Sequence, residues 1–115
     1  MVNHAADIAS NITTHIDKLL GENAADRSIH DCLTDCAEFY ADANDQLEDS
    51  YASLDSKAFF DIKNWLAAAI ADVDSCEGGF KEQDASRSRK SVLASENQNL
   101  SKLCHIALEI TSLLG

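Results

Sequence analysis

Proline is absent from this chain, and glycine occurs four times in 115 residues. A β-rich fold with many tight turns uses both residues, whereas long helices tolerate neither, so the composition points away from a sheet protein. Basic residues are scarce as well. Nine Lys and Arg stand against 20 Asp and Glu, a net charge of −11. A surface of that sign repels phosphate backbones and argues against nucleic acid as a partner. No run of 18 apolar residues occurs, so no membrane span is predicted. The first 30 residues show no basic stretch leading into an apolar one, so no export signal is visible.

Hydrophobic residues nevertheless make up 45% of the chain and charged residues 25%, the profile of a globule rather than of an acidic tail. The length predicts one domain spanning residues 1–115. A monomer is expected.

Apolar residues recur at helical spacing almost throughout. The longest seam is Ile29, Leu33, Cys36, Tyr40, Ala43, Leu47, Ser50 and Leu54, in alternating steps of four and three. A second seam is Ile62, Leu66, Ala69, Val73, Cys76 and Phe80. A third reads Leu100, Leu103, Ala107, Ile110 and Leu114, and the N-terminal stretch supplies Ile8, Ile12, Ile16, Leu19 and Leu20. Gly21 marks a helix end, and Asp26 to Ser28 a new start. Asp55 or Ser56 is the predicted cap of the third helix, and Gly78-Gly79 begins its predicted end. The polar segment from Lys81 to Ser91 reads as the main loop, with the last helix starting near Asn97 to Asn99 or, capped by Ser91 or Ser95, one turn earlier. The pattern predicts an all-α, antiparallel up-down-up-down four-helix bundle.

Cys36 and Cys76 lie at equal distances, 20 residues, from a turn centred near Ser56. Equidistant residues of an antiparallel hairpin sit at one height, and both cysteines fall on seams. They are therefore a geometric candidate for a disulfide, the alternative being two buried free thiols. Cys104 falls near the height of residues 68 to 70, whereas Cys32 falls near that of Phe80. About ten residues of helix, ~15 Å, separate those levels, so Cys32 and Cys104 are expected as thiols.

Chemistry-bearing constellations are missing. His30, Cys32 and Cys36 do not share a helix face as zinc ligands would, and the Glu-x-x-His signature of bundle metal sites is absent, so no metal and no cofactor are predicted. The four histidines are scattered, and no Gly-rich phosphate loop or Gly-x-Ser-x-Gly occurs, so no enzyme activity is predicted. Leu47-Glu48-Asp49-Ser50 superficially suggests an acyl carrier, but a carrier serine starts a helix and faces solvent, whereas Ser50 continues a seam. Helix two exposes Glu38, Asp42, Asp45, Glu48 and Asp49, which reads as a solvated face or as a recognition surface for a basic partner. Asn11-Ile12-Thr13 and Asn99-Leu100-Ser101 are glycosylation sequons, relevant if the protein is secreted.

Several segments resemble the plant invertase and pectin methylesterase inhibitors. Cys32-Leu33-Thr34-Asp35-Cys36-Ala37-Glu38-Phe39-Tyr40 and the following Ala41-Asp42-Ala43 are similar to that family's Asp-Cys-x-Glu-Leu-Tyr-x-Asp-Ala segment. Phe60-Asp61-Ile62-Lys63-Asn64-Trp65-Leu66-Ala67-Ala68-Ala69-Ile70 resembles its Tyr-Asp-Asp-Val-Lys-Thr-Trp-Leu-Ser-Ala-Ala-Leu. Asp74-Ser75-Cys76-Glu77-Gly78-Gly79-Phe80 matches its Asp-Thr-Cys-x-Asp-Gly-Phe, and Asn99-Leu100-Ser101-Lys102-Leu103 with Ala107-Leu108 its Asn-Leu-Ser-x-Leu-Thr-Ser-Asn-Ala-Leu. These matches fall in the family's order over roughly residues 8 to 115.

The resemblance implies a four-helix bundle with a Cys36–Cys76 disulfide between helices two and three. It implies an extracellular protein of the plant cell wall that occludes the active-site cleft of pectin methylesterase or acid invertase. Carried over residue by residue, the target-binding candidates are Glu38, Asp42, Asp45, Lys63 and Asp74. Pectin methylesterase is the expected target, since many plant esterases of this kind are basic; the alternatives are an invertase inhibitor and a shortened structural bundle that inhibits neither enzyme. Protonating all four histidines in an acidic wall would leave a charge of −7, so a basic target is still steered toward the chain. Three departures stand out. The family's N-terminal helical hairpin has no counterpart in this chain, Ala71 replaces the frequent Thr three residues before Asp74, and Ser56-Lys57-Ala58-Phe59 stands where invertase inhibitors carry Pro-Lys-Phe. The family suggests no role for Cys32 or Cys104.

Overall fold

The computed structural model describes residues 2–22, 27–83 and 93–114. They form four helices: α1 (Val2–Glu22), α2 (Arg27–Ala52), α3 (Phe59–Gln83) and α4 (Ala94–Leu114). Each packs on the next, and α4 closes back on α1, so the bundle has four seams. The seam between α2 and α3 is the most extensive and that between α1 and α4 the slightest. The expected all-α bundle is the observed architecture.

The heptad reading of α2 and α3 survives nearly intact. Leu33, Cys36, Tyr40, Ala43, Leu47 and Ser50 of α2 are buried, as are Ile62, Leu66, Ala69, Val73, Cys76 and Phe80 of α3. Leu54 falls in the turn after α2 and is exposed, so the predicted seam ends before it. In α1 the buried row is Val2, Ala5, Ala9, Ile12 and Ile16, while Ile8, Leu19 and Leu20 pack beside it.

α4 is rotated from its predicted setting. Its buried row is Asn97, Leu100, Cys104, Ala107 and Thr111, and Ile110 and Leu114 face solvent. The difference, about 60° on a helical wheel, arises because two polar residues are buried with their hydrogen bonds satisfied. The Thr111 hydroxyl donates to the Ala107 carbonyl at 2.7 Å. Asn97 joins a network described below. A reading by apolarity passes over both.

The helix ends also differ. Asp55 and Ser56 lie in the turn before α3 and cap nothing. The Ser56 hydroxyl donates back to the Ser53 carbonyl at 3.0 Å, and the first α3 bond runs from the Ile62 amide to the Ala58 carbonyl at 3.0 Å. Lys57 adopts φ 56°, a left-handed conformation that reverses the chain at some cost for a residue with a side chain. α3 continues through Gly78-Gly79 to Gln83, because Phe80, 2% exposed, anchors that turn in the core against the weak helix propensity of glycine. Residues 81–83 are thus helical rather than loop, and the remainder of the predicted loop, with Ser91, lies outside the described residues, as does Asp26. Ser95 sits inside the first turn of α4, where the Asn97 amide donates to the Leu93 carbonyl at 2.8 Å. Gly21 lies in α1, one residue short of its end.

Cys36 and Cys76 form the disulfide between α2 and α3, with Cα atoms 4.8 Å apart. Cys32 and Cys104 are buried thiols outside this disulfide. Burial pushes the Cys104 thiol up to about 11, which makes it a packing group rather than a nucleophile. Ser50 is fully buried with its hydroxyl on the Gln46 carbonyl at 2.8 Å, which rules out an acyl-carrier role.

Beside the disulfide lies a polar network linking three helices. The Tyr40 hydroxyl of α2 donates to the Asn97 side-chain carbonyl of α4. The Asn97 amide donates to Glu77 of α3 at 2.8 Å and approaches the Cys76 sulfur at 3.5 Å. Burial, then the nearby Cys104, Glu96 and Glu77, raise the Tyr40 phenol above its ordinary range, so it remains a donor throughout the physiological pH range.

Two predictions follow from this packing. The disulfide closes a 40-residue loop, so replacing both cysteines by Ala should lower stability by about 4 kcal/mol on the chain-entropy account, read by urea unfolding. Tyr40→Phe leaves the buried Asn97 oxygen unpaired and should cost about 1–3 kcal/mol. In a double-mutant cycle with Asn97→Leu the combined loss should fall well short of the sum, and strict additivity would refute the coupling.

Candidate functional site

Acidic residues on α2 recur with the same four-three rhythm as its core, on the opposite side. Asp31, Asp35, Glu38, Asp42, Asp45 and Asp49 form one stripe, and all six are exposed. From Asp31 to Asp49 the stripe covers 18 residue steps, about 27 Å of helix axis. None of its members forms an ion pair with a described residue.

The position of the stripe around the bundle follows from contacts on α2. Asn44 reaches Thr13 of α1 at 2.9 Å, which marks the flank turned toward α1. Cys32 reaches the Gly79 carbonyl of α3 at 3.6 Å, which marks the flank turned toward α3. On a helical wheel the acids lie outward and toward the Cys32 side, and therefore border α3.

From α3 comes Asp72, one helical heptad before Gly79 and on the same flank. Its carboxyl is held above the ordinary aspartate range, first by partial burial and then by the charge of Asp42. Its Oδ2 atom is shielded from water and has no hydrogen-bond partner among the described residues. The negative charge of Asp42 on α2 is thus felt by Asp72 on α3, and neither carboxylate forms an ion pair with a described residue. Such a pair opposes folding and favours an added cation.

The candidates from sequence are therefore divided between two faces. Glu38, Asp42 and Asp45 stand together on the stripe. Lys63 and Asp74 are 11 residues apart on α3 and share its other flank, the side on which Glu77 contacts Asn97 of α4. Asp74 is exposed and Lys63 half-buried. The sequence reading missed Asp31 and Asp35 as stripe members, although their spacing was available, and missed Asp72, whose interest lies in its pairing with Asp42 across two helices.

The turn between α2 and α3 presents Lys57 and, at its α3 end, Phe60, which is 73% exposed. Asn11 and Asn99 are both exposed and line a groove between α1 and α4. Among the described residues no group of three His, Cys, Asp or Glu side chains is placed to hold a metal ion. No described helix is long and apolar enough to cross a membrane.

Comparisons with known proteins agree with one another. Residues 1–110 match the family model described as plant invertase/pectin methylesterase inhibitor. A putative invertase inhibitor of Platanus orientalis is 34% identical over 98% of this chain and 64% of its own length. Pectinesterase inhibitor 12 of Arabidopsis thaliana is 30% identical over 88% of this chain and 58% of its own. The chain thus spans about three fifths of the length of these relatives. The crystal structure of a pectin methylesterase inhibitor from Arabidopsis thaliana superposes with a TM-score of 0.86 at 21% identity, over 99% of this chain and 73% of that one. That likeness shows the shared fold. By the extent of the family match and the identity to its relatives, this chain belongs to the plant invertase/pectin methylesterase inhibitor family.

Proposed function

We propose that this protein inhibits a plant cell-wall carbohydrate-active enzyme, pectin methylesterase first, by laying the acidic face of α2 and α3 across the active-site cleft. It performs no chemistry of its own; inhibition is exclusion of substrate. The family supports the inhibitor reading and an extracellular place of action. The observation that carries the choice of face is the unpaired Asp42–Asp72 couple set in a continuous acidic stripe. A target offering Lys or Arg there gains the attraction and removes the repulsion within the couple. Long-range attraction between a chain of charge −11 and a basic enzyme raises the association rate, and salt lowers it again.

A second reading, inhibition of acid invertase, is favoured by a different surface and by the names of relatives. The relatives at 34% identity are called putative invertase inhibitors. The α2–α3 turn offers Lys57 and Phe60 at one end of the bundle, a basic and an aromatic group suited to insertion. The two readings thus use separable residues.

Titration of a plant pectin methylesterase and an acid invertase with the oxidised protein at mildly acidic pH decides between them. The expected result is stoichiometric inhibition of the esterase, abolished at high salt. Inhibition confined to invertase, and lost on Phe60→Ala, would reverse the assignment.

Asp72→Asn tests the face itself. The raised pKa means that ionising Asp72 disfavours the folded state, so the native aspartate loses stability as pH rises through its folded pKa. The variant should therefore be more stable than the natural protein at neutral pH, with the gain vanishing at low pH where Asp72 is protonated. It should also inhibit about tenfold less well. A variant that is more stable and equally inhibitory would show that the couple does not face the target.

A further inference from the structure

The weakest of the four helix seams holds a feature that the inhibitory face does not use. Between α1 and α4 runs a groove of about 320 Å³, lined by Ile8, Asn11, Ile12, His15, Glu96 and Asn99. His15 and Glu96 meet across it, with Nδ1 and Oε1 3.4 Å apart. That contact fixes the register of the two antiparallel helices. Asn11 lies four residues before His15, and Asn99 three residues after Glu96. The steps run in opposite chain directions on opposed helices, so the two asparagines arrive at nearly one height on the two banks of the groove.

Both asparagines head sequons, Asn11-Ile12-Thr13 and Asn99-Leu100-Ser101. Both are exposed, and neither side chain is hydrogen-bonded to a described residue. The floor between them is apolar, formed by Ile8 and Ile12. Two short motifs on separate helices thus place their acceptor atoms over the same patch.

We propose that Asn11 and Asn99 both carry N-linked glycans and that the first sugars together cover the α1–α4 groove. The chemistry is amide glycosylation. The side-chain nitrogen forms a bond to the anomeric carbon of a lipid-pyrophosphate-linked oligosaccharide. The bond from that carbon to the pyrophosphate breaks, the lipid pyrophosphate departs, and one amide proton is released without any change of oxidation state. Transfer precedes folding, because in the bundle the Thr13 hydroxyl is engaged by the Ala9 carbonyl at 3.0 Å and by the Asn44 amide. On the extended chain it is free.

The sugars would be neutral, so they add no charge to a chain already at −11. Their apolar ring faces suit Ile8 and Ile12, and their hydroxyls suit the rim. The ring of contacts α1–α2–α3–α4 places this seam across the bundle from the acidic α2–α3 face, which stays open. The proposal rests on the extracellular reading above, but its test does not depend on inhibition.

The full chain, sent through the secretory pathway of plant or yeast cells behind a cleaved leader, is measured by intact mass before and after peptide-N-glycosidase. Two glycans are expected, released in two steps, with Asp left at positions 11 and 99. Asn11→Gln and Asn99→Gln should each remove one step and the double variant both. A folded, disulfide-bonded product at the unmodified 12.5 kDa, or with one site occupied, overturns the proposal. Backbone amide exchange over residues 8–16 should be several-fold slower in the glycosylated form than after enzymatic removal. Equal rates with both sites occupied would refute coverage of the groove. Failure to inhibit either enzyme bears on the function alone and leaves the glycan result intact.

Discussion

The covalent tie between Cys36 and Cys76 is the constraint around which the bundle is organised. It sits on the most extensive seam and fixes the relative height of α2 and α3. Against it lies Asn97, which receives the Tyr40 hydroxyl and reaches Glu77. α4 is thereby registered to a pair of helices that cannot slide. Such a network is favourable when every member is satisfied and costly when one is removed, so it specifies a single rotation of α4. The apolar seams alone would permit neighbouring settings. α1 lacks a comparable tie; it meets α2 through the bond from Asn44 to Thr13 and α4 through the pair His15–Glu96.

With that frame rigid, charge can be arranged at a cost in stability. Six acids in one stripe on α2, with Asp72 opposed to Asp42, do not help the bundle fold. Their mutual repulsion is held in place by the packing beneath. A surface of this kind is pre-organised for a basic partner, because the ordering and the repulsion are both met before the partner arrives. The disulfide and the Tyr40–Asn97–Glu77 network are therefore the means by which an unfavourable charge array is kept in register.

Much of this architecture was legible in residue spacing. α2 and α3 each bury an almost purely apolar row, so a rule based on hydrophobic periodicity located their faces and the equal heights of Cys36 and Cys76. The same rule turned α4 too far, because Asn97 and Thr111 are polar yet buried, and their hydrogen-bond partners lie on other helices or one turn back. It ended α3 at Gly78-Gly79, because local propensity has no knowledge of Phe80 reaching the core. The acids of α2 were visible as a face, but their relation to Asp72 was not, since it depends on how α2 and α3 are turned toward each other.

By itself the sequence determined the class of the fold and the excess of negative charge, and it placed Cys36 and Cys76 on the inner seams of their helices as a candidate pair. Each of these is set by composition or by intervals along one helix, which the chain carries without reference to its partners. The tertiary structure alone decided the rotation of α4, the left-handed turn at Lys57, the separation of Lys63 and Asp74 from the acidic stripe, and the meeting of Asn11 with Asn99 across one groove. Those outcomes depend on distances between residues far apart in the chain. Such distances exist only after one helix has been pinned to another.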